Sequence, residues 1–159
     1  MTCHRSKVFT VVIALGISSC AQPARETPAK KTAAPAAARK PVRMNGRGKI
    51  SSVSLTDLFA LQQSGKVLLY DARPGFYYHL GHIPGAISLP KANCDPQIAA
   101  REAEIKAALA AKKTVVVYCT NTACPDSRTV AIHLAGFGYP CGTLQGGWES
   151  WKESGLPTE

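Results

Sequence analysis

The stretch Thr114-Val115-Val116-Val117-Tyr118-Cys119-Thr120-Asn121-Thr122-Ala123-Cys124-Pro125-Asp126-Ser127 decides how this chain is read. A β-branched apolar run of this length is the mark of a strand buried on both faces. It stops at a cysteine, continues as a short polar loop, and passes into a helix-like segment from Ser127 to Gly136 with Val130, Ile132 and Leu134 apolar. That order puts the Cys119 thiol on the C-terminal rim of a buried strand, where open α/β sheets keep their reactive groups. Backbone N–H groups and a helix N-terminus at such a rim hold a thiolate. Cys119 is therefore the candidate nucleophile.

Outward from this stretch the chain alternates strands and helices. Val67-Leu68-Leu69-Tyr70 and Ala86-Ile87-Ser88-Leu89 are further short apolar runs, and Gly142-Thr143-Leu144-Gln145 reads as a last strand. Ser54-Leu55-Thr56-Asp57, an acidic variant of the capping box, opens a first helix that Gly65 ends. Ile98, Ile105 and Leu109 make residues 96–111 an amphipathic helix, and Trp148 to Ser154 forms a final one. The pattern predicts an α/β domain with a five-stranded, mostly parallel sheet and helices on both faces.

The net charge of +9 suggests nucleic acid until it is located. Residues 1–48 hold nine Lys and Arg against one acid, Glu26, whereas residues 49–159 hold ten against nine. A nucleic-acid-binding domain carries its own basic face. This one is close to neutral, so that class is set aside. Three segments follow: an export signal over 1–19, a linker over 20–48, and the folded domain over 49–159.

His4, Arg5 and Lys7 precede the apolar stretch Val8–Ile17 and the small pair Ser18-Ser19, the pattern of a secretory signal. The apolar stretch is short of the ~20 residues a membrane-spanning helix needs. Ile17-Ser18-Ser19-Cys20 resembles the lipobox of bacterial lipoproteins, which implies that Cys20 is lipidated. Ala21 in the next position suits outer-membrane sorting. Linker residues are Ala, Pro, Lys and Arg, and Pro23, Pro28, Pro35 and Pro41 interrupt any helix. The expected location is the periplasm, with the domain held off the membrane by a lipid anchor.

Export changes the reading of the remaining cysteines, Cys94, Cys119, Cys124 and Cys141. Four thiols in an oxidising compartment allow two structural bridges. The alternative is that Cys94 and Cys141 are buried or loop thiols while Cys119 and Cys124, flanking one loop, are functional.

Two further segments sharpen the assignment: Asp71-Ala72-Arg73 followed by Leu80-Gly81-His82-Ile83-Pro84-Gly85-Ala86, and Leu144-Gln145-Gly146-Gly147-Trp148. With the strand–Cys119 junction between them, they resemble the rhodanese (sulfurtransferase) family from about Ile50 to Pro157. The resemblance implies a rhodanese-like fold. It also implies that Cys119 accepts sulfane sulfur from a donor such as thiosulfate, carries it as a persulfide and passes it to a thiol acceptor. A cysteine ionises near pH 8.5 unperturbed, so the thiolate needs the amides of residues 120 to 126 and the helix start near Pro125. Thr120, Asn121, Thr122, Ala123, Cys124 and Ser127 are the expected substrate-binding loop. No cofactor is called for, and no His and Asp pattern supports a metal site.

The residues also carry plainer roles. Asp71 and Arg73 form an ion pair within the domain, His82 is a turn residue bonded to backbone, and Trp148 and Trp151 cap the core. Gly146-Gly147 lets backbone approach the cysteine loop. Arg128 follows Cys119 by nine positions, too far for the Cys-to-Arg spacing of six that related phosphatases use. Asp126 opposes a low thiol pKa if it faces the loop, and Tyr77 stands where the family commonly has an acid. Two other functions stay open: a thiol–disulfide redox protein using Cys119 and Cys124, and a non-enzymatic module that binds a partner.

Overall fold

A computed structural model describes residues 48–159. The proposed export signal, Cys20 and the linker up to residue 47 lie outside the described residues. Five strands make one all-parallel sheet in the order β1-β5-β4-β2-β3: β1 Ile50–Val53, β2 Val67–Asp71, β3 Ile87–Ser88, β4 Thr114–Tyr118 and β5 Cys141–Leu144. The most apolar run, β4, takes the central place between β5 and β2, paired along its whole length with β2 from Val67↔Thr114 to Asp71↔Tyr118.

Successive strand residues point to opposite faces, and β4 feeds two cores. Val115 and Val117 join Tyr70, Ile98, Ile105, Val130 and Leu134 beneath α3 Cys94–Ala100, α4 Glu102–Ala110 and α5 Asp126–Gly136. Val116 and Tyr118 join Leu58, Leu69, Trp148 and Trp151 beneath α1 Leu55–Gln63 and α6 Gly147–Glu153. Both tryptophans are buried there, as their core-capping role requires. The Ser54 cap forms as read: its Oγ accepts from the Asp57 N–H at 3.1 Å and donates to the Asp57 carboxylate at 2.7 Å.

Three elements depart from the sequence reading. β1 is a strand despite Ser51 and Ser52; only Val53 is buried, and pairing of Ile50 to Val53 with β5 defines it. Gly75–His79 forms a short helix, α2, with no buried residue and hence no apolar stripe to announce it. The helix expected over 96–111 begins at Cys94 and is broken at Arg101, which closes α3 and opens α4. Pro96 falls in the first turn, where a helix has no use for its missing N–H, so the proline does not mark the start. Gly48, just ahead of the expected boundary, already donates to the Ala135 carbonyl at 2.8 Å.

Candidate functional site

All five strands being parallel, their C-terminal ends and the loops that follow gather on one edge. β2 delivers Asp71 and Arg73 there, β4 delivers Tyr118 and Cys119, and β5 delivers Gln145 and the Gly146-Gly147 turn.

Beneath this rim lies a buried polar knot. The Arg73 guanidinium grips Asp71 through Nε at 3.0 Å and Nη2 at 2.6 Å, and Nη2 also donates to the Gly81 carbonyl at 2.7 Å. Tyr118 donates its hydroxyl to Asp71 at 2.7 Å and accepts from the Ile83 N–H at 3.2 Å. Burial opposes the Arg73 charge, yet the hydrogen bond and charge of Asp71 outweigh it and hold the guanidinium above its ordinary pKa. Burial, then the Asp71 charge, pushes the Tyr118 phenol up. The Trp148 ring lies 4.8 Å from the Arg73 guanidinium carbon. His82 is the turn residue expected: its N–H donates to the Glu159 carbonyl at 2.7 Å and its Nδ1 lies 3.1 Å from the Tyr78 carbonyl. Tyr77, standing where the family carries an acid, is exposed.

Above the knot, Cys119 and Cys124 are joined as a disulfide, their Cα atoms 6.1 Å apart. Asn121 shapes the loop between them. Its side-chain oxygen accepts from the Ala123 N–H at 3.1 Å, its carbonyl accepts from the Cys124 N–H at 3.2 Å, and its amide nitrogen donates to Glu149 of α6 at 2.9 Å. Two of the amides expected to cradle the Cys119 sulfur are thus committed to Asn121. From below, the Trp148 and Glu149 N–H groups donate to the carbonyls of Cys119 and Thr120, each at 2.9 Å. Gly147 makes that approach possible: it holds φ +59°, and a Cβ there would run into the Cys119 carbonyl.

An open cleft of about 770 Å³ lies over the loop, lined by Asn121, Thr122, Ala123, Cys124, Ser127 and Arg128, with Gln145 and Gly146 opposite. Thr120, expected in the substrate loop, is not among its walls. Thr120 lines a separate pocket with Arg73 and Trp148, turned there by the bond to α6. Cys119 itself is 2% exposed, so Cys124 is the sulfur that faces the cleft. Asp126, at the start of α5, does face the sulfurs: a carboxylate oxygen lies within 4.8 Å of both. Its charge is countered by Lys91, 2.5 Å away, a partner that sequence reading did not supply. Arg128 was also missed as a site residue; its place one residue after Ser127 in the first turn of α5 is the signal that points to it.

Cys94 and Cys141 are free and buried, which leaves one bridge rather than two. Burial raises both thiols, that of Cys141 to about 11. Cys94 also meets Asp95 and His133 in a cluster within 4.8 Å, where His133 Nδ1 lies 2.6 Å from Asp95. Residues 38 positions apart carry no local signal of that meeting.

A rim cysteine on the central strand of an open parallel sheet, with a helix starting beside it and a buried Asp–Arg pair below, defines a class of α/β domain. The Rhodanese-like domain family matches residues 54–154, and the chain belongs to that family. It is 32% identical over 111 residues to the HTH-type transcriptional regulator Rv0324 of Mycobacterium tuberculosis. That match takes in 68% of this chain and spans 44% of the length of the relative. Among solved structures, BH2092 protein from Bacillus halodurans superposes with a TM-score of 0.59 at 26% identity, over 69% of this chain and 76% of that one. A protein from Lactobacillus plantarum gives 0.55 at 28% identity, over 68% and 87%.

Proposed function

We propose that this domain is a sulfurtransferase in which Cys119, once reduced, takes sulfane sulfur from a small donor such as thiosulfate and passes it as a persulfide to a thiol acceptor. The observation that carries this reading is the seat of Cys119: the end of the central strand, close to Asp126 at the start of an eleven-residue helix, and bonded to a cysteine that lines an open cleft. A helix N-terminus favours negative charge on a neighbouring thiolate and on the persulfide. Arg128 gives the cleft a cation for an anionic donor. Attack of the thiolate on the outer sulfur of thiosulfate releases sulfite, a step in which preorganised main-chain dipoles stabilise the charge as it moves.

The test uses the full chain, reduced and desalted, with thiosulfate and cyanide. Thiocyanate formation, a Cys119 persulfide by mass spectrometry and loss of both in Cys119→Ser support the reading. Their joint absence in the wild-type chain rules it out.

A second reading, thiol–disulfide exchange, is favoured by the Cys119–Cys124 bond itself. Cys124 alkylating freely in protein purified without reductant counts against it. The accompanying proposal for location is a periplasmic domain anchored in the outer membrane through lipidated Cys20. Labelled palmitate entering the wild-type chain but not Cys20→Ser tests that.

A further inference from the structure

Cys124 is redundant for a single-thiol sulfur carrier, yet the fold brings it onto the sulfur of Cys119. We infer that Cys124 resolves the Cys119 persulfide, so that the domain discharges its sulfur as hydrosulfide and ends each turnover as the Cys119–Cys124 disulfide. This rests on the sulfurtransferase reading and adds a fate for the sulfur and a class of co-substrate, a dithiol reductant.

Three features of the loop carry it. Asn121 ties the loop to itself and, through Glu149, to α6, so Cys124 is delivered over Cys119 by a local turn rather than by chance approach. The carboxylate of Asp126 lies within 4.8 Å of both sulfurs, a base at hand for the Cys124 proton, and Lys91 keeps it paired. The two sulfurs are also unequal in access: Cys119 is sealed, while Cys124 lines the cleft. A bridge built only for stability has no need of that asymmetry; a bridge that is opened each cycle does.

The chemistry balances. The Cys119 thiolate attacks the outer sulfur of thiosulfate, the S–S bond of the donor breaks, and sulfite leaves with the bonding pair. Cys124, losing its proton to Asp126, attacks Cys119 Sγ; a new Sγ–Sγ bond forms and the persulfide bond breaks. The outer sulfur departs as hydrosulfide, taking the electron pair and that proton. Sulfane sulfur is reduced by two electrons while the two protein thiols are oxidised to one disulfide. A dithiol then attacks Cys124 Sγ from the cleft, Cys119 leaves as thiolate, and the second thiol of the reductant closes its own disulfide.

The experiment is a single turnover of the full-length chain, reduced, desalted under argon and mixed with thiosulfate alone. Wild type is expected to release one hydrosulfide per chain and to finish two hydrogens lighter, with Cys119 and Cys124 in one disulfide-linked peptide. Cys124→Ser is expected to gain one sulfur atom at Cys119, keep it, and release sulfide only after dithiothreitol is added. A wild-type chain that holds its persulfide as long as Cys124→Ser does overturns the inference and leaves the sulfurtransferase reading standing. If neither chain gains sulfur nor releases sulfide, that reading falls and the inference with it. The wild-type arm decides alone should the variant fold poorly.

Discussion

Tyr118 and Cys119 are neighbours in the chain and opposites in surroundings. Tyr118 closes a knot in which Asp71 and Arg73 are buried and every group has a partner. Cys119 sits in a loop closed by the hydrogen bonds of Asn121 and by one covalent bond that a thiol can open. Its other restraints fall on backbone carbonyls, through Trp148 and Glu149, and leave the sulfur itself free to change partners. One end of one strand thus carries a part held by buried hydrogen bonds and a part whose covalent state can change.

The strongest way to break this contrast is to cut the knot. Arg73→Ala leaves the Asp71 carboxylate buried without its cation, and loss of one partner of a buried pair costs about 3–5 kcal/mol. Urea denaturation of the reduced protein is expected to show a loss of that size. An effect under about 1 kcal/mol would mean that the knot is as dispensable as the loop.

Next comes the buried sulfur of Cys141, a foil to the sulfur in the loop. Its folded pKa of about 11 stands above the unfolded value of 9.0, so its contribution is full below pH 9 and is lost as pH rises towards 11. That amounts to roughly 2–3 kcal/mol at 1.36 kcal/mol per pKa unit. Cys141→Ala is expected to flatten the fall in stability across this window, while the buried phenols keep their own part of it. In reduced native protein at pH 8, iodoacetamide should mark Cys124, which lines the cleft, and spare the buried Cys94 and Cys141.

Opening the loop is the third test. A bridge across a separation of five residues restrains the unfolded chain by about 2 kcal/mol in the chain-entropy account. Reduction should lower the unfolding free energy measured in urea by that amount and leave the circular dichroism of the native state unchanged; a reduced protein that unfolds outright would erase the distinction between the two regions. The smallest effect belongs to Lys91→Ala. The Lys91 side chain is 47% exposed, and such pairs contribute under about 1 kcal/mol. Its removal should hardly move stability while altering the rate at which Cys124 is alkylated after reduction, because Asp126 loses its counter-charge.

Legibility from sequence followed the range of the forces. Thr114 to Cys119 was readable because a run buried on both faces has no polar alternation to hide it. Gly146-Gly147 was readable because the close approach to Cys119 needs residues without Cβ, and the Asp71–Arg73 pair because both members lie within one turn of chain. β1 escaped because Ser51 and Ser52 owe their strand conformation to β5. α2 escaped because five residues, none of them buried, are too few to display a period. Lys91 with Asp126, and Asp95 with His133, meet through folding alone. The open choice among the cysteines is narrowed by Asn121, whose hydrogen bonds turn the loop back on itself.

Both tryptophans of the chain, Trp148 and Trp151, sit on α6, the helix whose first N–H groups hold the carbonyls of Cys119 and Thr120. The indole of Trp148 also stacks over Arg73. The domain therefore contains its own optical reporter: any displacement of the cysteine loop pulls on the helix that carries all of the indole emission. Stopped-flow fluorescence can then follow sulfur loading, bridge closure and reduction in unlabelled protein.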